Sequence, residues 1–160
     1  MNLNLAGKTA IVTGNSKGIG QTITQSLQEE GMYVFPVSRT AGIDLMKSSG
    51  INLVHSYLEI SQILINNLGG LGSNPLLWKE CMQKNYEIMV NLTNYFLSLG
   101  KVWGRVITIA SVYGKEKGSN PGFAAAKAAQ IAYMKSLAGN VPGVTMNVIC
   151  PGHIDVRKSF

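Results

Sequence analysis

Short runs of mostly apolar residues alternate along this chain with stretches whose apolar positions recur every three to four residues. The runs Thr9–Thr13, Tyr33–Val37, Ile63–Asn66, Arg105–Ala110 and Val144–Cys150 read as strands buried within a sheet, with Ile43–Met46 as a further short strand. Between them the period changes. Ile19–Glu30 places Ile19, Ile23 and Leu27 on one helical face and stops at Gly31. Gly50–Ile60 and the alanine-rich Phe123–Leu137 read as helices, and Leu76–Leu99 as a long one bearing Leu77, Met82, Tyr86, Met89 and Leu92. Strand-like runs alternating with helical patterns predict an α/β fold, a doubly wound parallel sheet of about six strands flanked by helices. No repeat, linker or shift in composition divides residues 1–160, so one domain is expected.

Composition narrows the picture. Hydrophobic residues make up 46% and charged ones 14%, which excludes a disordered chain. The net charge of +6 raises the question of nucleic acid, but the basic residues are scattered, and the densest group, Lys115 to Lys117, is interrupted by Glu116. A mildly basic surface suited to an anionic small molecule is the simpler reading, with no nucleic-acid or membrane partner. Cys81 and Cys150 lack metal-site spacing, so no metal is expected, and two buried thiols in a reducing compartment are the default. No signal peptide or membrane-spanning run is evident, which points to a cytoplasmic location.

The feature richest in chemistry is Gly14-Asn15-Ser16-Lys17-Gly18-Ile19-Gly20, set between the first strand and the first helix. Glycines there let the backbone turn sharply and approach a pyrophosphate, while the helix N-terminus offers free N–H groups. A tight strand-to-helix turn alone would use the same glycines, so the context decides.

With this loop begins a resemblance to the short-chain dehydrogenase/reductases, and in particular to 3-oxoacyl-ACP-reductase-like members. It continues in order through Asn66-Asn67-Leu68-Gly69, where Leu68 replaces an alanine, then Asn91, Ser111, Lys127 and Pro151-Gly152. The resemblance implies a Rossmann-type dinucleotide site formed by the glycine loop, Asn67, Leu68, Gly69, Lys127, Pro151 and Gly152. Asp44 resembles the aspartate beside the adenine. It further implies hydride transfer between a nicotinamide and a carbonyl or alcohol substrate, with Ser111 polarising the carbonyl, Lys127 on the ribose and Asn91 in a proton relay. Relatives commonly pair two helices across subunits, which implies a homodimer or homotetramer.

Three departures from the family pattern qualify the activity. The position of the family's catalytic tyrosine, four residues before Lys127, holds Phe123, which keeps the ring and lacks the acid. Val156 stands where relatives often carry a threonine, and the sequence ends at Phe160, before the expected substrate lid and seventh strand. Tyr113-Gly114-Lys115-Glu116-Lys117 repeats the Tyr-x-x-x-Lys spacing but lies too close to Ser111, so Tyr113 is at most a substitute hydroxyl. His153 could line the pocket or be an ordinary loop residue, and His55 reads as a surface residue.

The second strand leads into Ser38-Arg39, with no acidic residue at 37–40. An arginine there suits a 2′-phosphate, and Lys17 adds charge on the same side, so NADP(H) is expected over NAD(H) unless both are merely solvated cations. After Arg39 the chain has no room for a helix before Ile43–Met46, an unusual gap for a parallel crossover. The expectation is an oxidoreductase of weakened activity, with a non-catalytic dinucleotide-binding homologue as the alternative.

Overall fold

A computed structural model describes residues 3–70 and 78–154. The expectations that fall on Leu76, Leu77 and Val156 lie outside the described residues. Five strands form one parallel sheet: β1 (Thr9–Thr13), β2 (Tyr33–Val37), β3 (Ile63–Asn66), β4 (Gly104–Ile109) and β5 (Val144–Ile149), in the order β2-β1-β3-β4-β5. The helices are α1 (Gly18–Glu29), α2 (Ser48–Ile60), α3 (Trp78–Met82), α4 (Ile88–Ser98) and α5 (Pro121–Leu137). Between α3 and α4 the chain widens into a π turn over Gln83–Glu87.

Among the described residues the sheet has five strands rather than six, because Ile43–Met46 is not a strand. Ile43 and Leu45 are buried, which produces the strand-like alternation, but the backbone makes turn bonds instead. Ile43 N–H donates to Ser38 C=O, the Asp44 carboxylate accepts from Met46 N–H at 3.0 Å, and Asp44 C=O accepts from Lys47 N–H. The missing crossover helix disappears with the misread strand: the passage from β2 to β3 contains α2 and is of ordinary length for a parallel connection.

Alternate residues of each strand face opposite layers. Ile11, Leu64, Val106 and Met146 pack with α2, α4 and α5 through Val54, Leu58, Leu92, Phe96 and Met134. Ala10, Val12, Ile63 and Ile65 pack on the other side against Ile19, Ile23 and Leu27 of α1. The amphipathic face of α1 read from the sequence is therefore its sheet-facing side. α5 starts cleanly because the Asn120 side chain accepts from Gly122 and Phe123 N–H and Pro121 occupies the first turn.

Candidate functional site

The chain leaves β1 toward β2 on one side, and β3 lies on the other. In an open parallel sheet that reversal leaves a crevice at the carboxyl ends of the two neighbouring strands. Gly14 follows β1 there, and Asn67 and Leu68 follow β3.

Thr13 and Asn67 lock the two exits together. The Thr13 hydroxyl accepts from Asn67 and Leu68 N–H, each at 2.9 Å, and Asn67 Nδ2 donates to the carbonyls of Thr13 (3.0 Å) and Gly14 (3.1 Å). Thr13, which precedes the glycine spacing in the sequence, closes the apolar strand with a polar side chain. Gly14 has φ +69°, and a Cβ on it would sit 3.3 Å from Leu68 Cα. A Cβ on Gly20 would collide with Asn67 Nδ2 and the Gly14 carbonyl, so helix and strand approach as closely as they do only because residue 20 has no side chain.

No described side chain caps α1, whose N-cap Lys17 is extended. Its first-turn N–H groups, with the positive end of the helix, are thus available to an anion such as a phosphate. Ser16 and Lys17 are exposed; Asn15, Gly18 and Ile19 are half-buried. Arg39 is exposed in a short turn after β2, where Ser38 and Thr40 hydroxyls bond each other. Asp44, half-buried, uses its carboxylate to fix the turn into α2.

On the other side of the crevice, Lys127 is buried within α5 at 4% exposure. Its Nζ donates to Ile109 C=O at 2.8 Å and to Gln130 Oε1 at 3.1 Å. Burial pushes its pKa down to about 8, against a smaller opposing pull from the Cys81 and Cys150 thiols. Nζ lies 3.3 Å from the point where a Gly69 Cβ would stand, so Lys127 and the glycine exit of β3 adjoin. Phe123, half-buried one turn earlier on α5, sets its ring centroid 5.5 Å from the same nitrogen. Whatever stands at position 123 is therefore in reach of Lys127, and here it carries no titratable hydrogen.

Ser111 directly follows Ala110 at the end of β4 and caps a turn over Val112–Gly114, its Oγ accepting from Tyr113 N–H at 3.2 Å. Val112 N–H donates to Pro151 C=O and Ala110 N–H to Ile149 C=O, which holds the β4 and β5 exits side by side. The turn seats closely on α5, since a Cβ on Gly114 would stand 2.7 Å from the Lys127 carbonyl carbon. Tyr113 packs its half-buried ring against Gly118. Gly152 and His153 are exposed beyond Pro151. Cys81 is buried, but Cys150 is only half-buried, which corrects the expectation of two buried thiols. Among the described residues no group of three or more His, Cys, Asp or Glu side chains could hold a metal, and no helix is long and apolar enough to cross a membrane.

Asn91 is not brought to this site. It is exposed on α4, its Oδ1 2.9 Å from His55 Nε2, beside a cleft of about 390 Å³ between α2 and α4. His55 itself is half-buried and stacked on Tyr95 at 3.8 Å, so it packs between helices and is not a bare surface residue. The asparagine beside Lys127 is Asn85, fully buried in the π turn. Its Oδ1 accepts from Gly70 N–H at 2.9 Å and its Nδ2 donates to Gly70 C=O and Cys81 C=O, pinning the loop after β3. The signal was present in the apolar spacing, because Cys81, Asn85, Met89 and Leu92 share the buried face and Asn91 does not.

Comparison with known proteins follows the same outline. The sequence profile described as short chain dehydrogenase matches residues 51–159. The chain is 32% identical to the 3-oxoacyl-[acyl-carrier-protein] reductase FabG of Escherichia coli K12, over 96% of this chain and 76% of that protein. The chain belongs to the short chain dehydrogenase family. Another family member, acetoacetyl-CoA reductase of Paracoccus denitrificans, is 31% identical over 92% of this chain and 74% of its own length. Among solved structures of the family, the Pseudomonas aeruginosa RhlG/NADP active-site complex superposes with a TM-score of 0.82 at 30% identity, covering 96% of this chain and 75% of that one. The E. coli alignment spans 185 residues, more than this chain's 160, so that dehydrogenase carries internal residues which this one lacks.

Proposed function

We propose that this short chain dehydrogenase binds NADP(H) in the crevice between the glycine loop and Lys127, and that it transfers hydride to or from a carbonyl or alcohol substrate only slowly. The observation that carries the reading is the joined exit of β1 and β3. There Gly14, Gly20 and the Thr13–Asn67 bonds leave a side-chain-free cradle at an uncapped helix N-terminus. Gly14, Asn15, Ser16, Gly18 and Ile19 would hold the pyrophosphate, with Asn67, Leu68 and Gly69 forming the opposite wall. Lys17 and Arg39 would hold the 2′-phosphate, Lys127 the nicotinamide ribose, and Asp44, Pro151 and Gly152 the outer edges. The presence of NADP in the RhlG complex supports the same dinucleotide.

When bound, the dinucleotide supplies the hydride. The Ser111 hydroxyl would donate to the substrate oxygen, and Lys127 would keep a positive charge beside it. The proton that must reach a developing alkoxide has no donor at position 123. General acid catalysis of this kind is worth about 10²–10⁴ in rate. Phe123 for that reason also supports a second reading, in which the chain binds the dinucleotide without turning it over.

Calorimetric titration tests the binding. NADPH is expected to bind at least about tenfold more tightly than NADH, with the difference lost in the Lys17→Ala/Arg39→Ala double variant. Equal affinities would remove the role of both residues. Phe123→Tyr separates the two catalytic readings. It is expected to raise kcat on a small β-ketoester by about tenfold or more, whereas a variant as idle as the parent leaves only binding.

A further inference from the structure

Gln130 is a buried polar side chain for which the proposed chemistry has no use. It lies three residues beyond Lys127 on α5 and is 1% exposed. Its Oε1 accepts from Lys127 Nζ at 3.1 Å, and its Nε2 donates to the main-chain carbonyl of Asn85 in the π turn. The ammonium's other protein acceptor, Ile109 C=O, belongs to β4. Two elements, α5 and β4, thus hold the nitrogen, Gln130 links it to a third, the π turn, and both acceptors are neutral. Neutral acceptors orient an ammonium without cancelling its charge, as a carboxylate would. Two N–H groups held on the protein side leave the third toward Gly69 and the crevice.

We propose that Gln130 is a positioning residue for Lys127, tying its ammonium to the Asn85 carbonyl so that an uncancelled charge stays aimed at the crevice. The consequence for dinucleotide affinity rests on the function proposed above; the tie itself does not. An amide holds one protonation state, so the orientation stays constant while Lys127 titrates. A buried glutamine serving only to fill space would touch the same neighbours, but Lys127 would not respond to its replacement.

The groups that face Lys127 are the Cys81 thiol from α3, the Cys150 thiol after β5 and the uncharged Phe123 ring from α5 itself. Burial raises the Cys81 pKa, so desolvation opposes a thiolate there. The test follows the Lys127 side chain by NMR in the protein without dinucleotide, in wild type, Gln130→Glu and Gln130→Met, and then measures NADPH affinity. Gln130→Glu, of the same shape, is expected to raise the Lys127 titration midpoint by about 1–2 pH units. Gln130→Met is expected to lower it and to weaken NADPH binding about tenfold.

Midpoints unchanged in both variants overturn the proposal, whatever happens to binding. Midpoints that move as expected in a protein that never binds NADPH uphold the tie and sink the dinucleotide reading instead. Wild type gives a reading that no variant can spoil: the Gln130 side-chain amide protons should exchange slowly with solvent. Exchange at the rate of a free amide overturns the proposal as well.

Discussion

A lysine surrounded by neutral acceptors in a packed interior has lost most of its hydration and gained no counter-charge. For Lys127 the result is a pKa pushed by burial from 10.5 to about 8, with only the two thiols pulling it back. The sign of the linkage follows. Below pH 8 the ammonium is charged in both folded and unfolded chains, and the folded state bears the whole desolvation cost. Between pH 8 and 10.5 the folded state gives up its proton first and the cost shrinks; above 10.5 the group is neutral in both states and the cost is gone. Native stability should therefore climb through that window by about 3 kcal/mol relative to a Lys127→Met variant. Paired urea titrations of the two proteins from pH 7 to 11 measure it, and a constant difference would mean that the amine is hydrated. A group kept at such a cost is the mark of a site rather than of a core. The lysine and the ring at Phe123 were legible through the family resemblance, and their spacing of four residues on a helix places one above the other. Gln130 was not, because three residues along an alanine-rich helix its sequence context resembles any other buried or surface position.

At the scale of elements, the crevice depends on how closely α1 is seated on the exits of β1 and β3. Gly20→Ala places a methyl group into the Asn67 amide and the Gly14 carbonyl, two groups already bonded to each other. The variant is expected to lose about 1–3 kcal/mol in urea denaturation and to lose NADPH affinity with it. Unchanged stability would show that the helix can shift outward freely. The π turn between α3 and α4 has the opposite character, since one widened turn brings Asn85 to Gly70 and to Gln130. The family resemblance gave the role to Asn91 alone, and Asn85, six residues earlier in the same helical stretch, was passed over. Helical phase decides for Asn85: it shares a face with Cys81 and Met89, while Asn91 faces His55 and solvent. The same kind of ambiguity produced the surplus strand at Ile43–Met46. Burial of alternate residues suits a turn with two inward side chains as well as it suits a strand, and only the hydrogen-bond partners tell them apart.

Taken as a whole molecule, the described residues build a five-stranded sheet in a family whose E. coli relative has more residues across the same span. The sheet nevertheless keeps the reversal between β1 and β3 that opens a crevice, and Gly14, Asn67, Lys127 and Ser111 all stand near the carboxyl ends of strands. What the sequence by itself determined were the local matters: the five true strands, the four long helical segments, the glycine loop between a strand and a helix, and the absence of a hydroxyl at Phe123. Each depends on residues close together in the chain, whose periods and backbone preferences act without reference to the rest. The tertiary structure alone decided which polar groups share an environment. Lys127 meets Ile109 from eighteen residues away, and Asn67 meets Thr13 from fifty-four, across strand exits brought together by the packing of two layers on one sheet. Burial, and hence the depressed pKa and the tie through Gln130, arises from that packing and from nothing nearer.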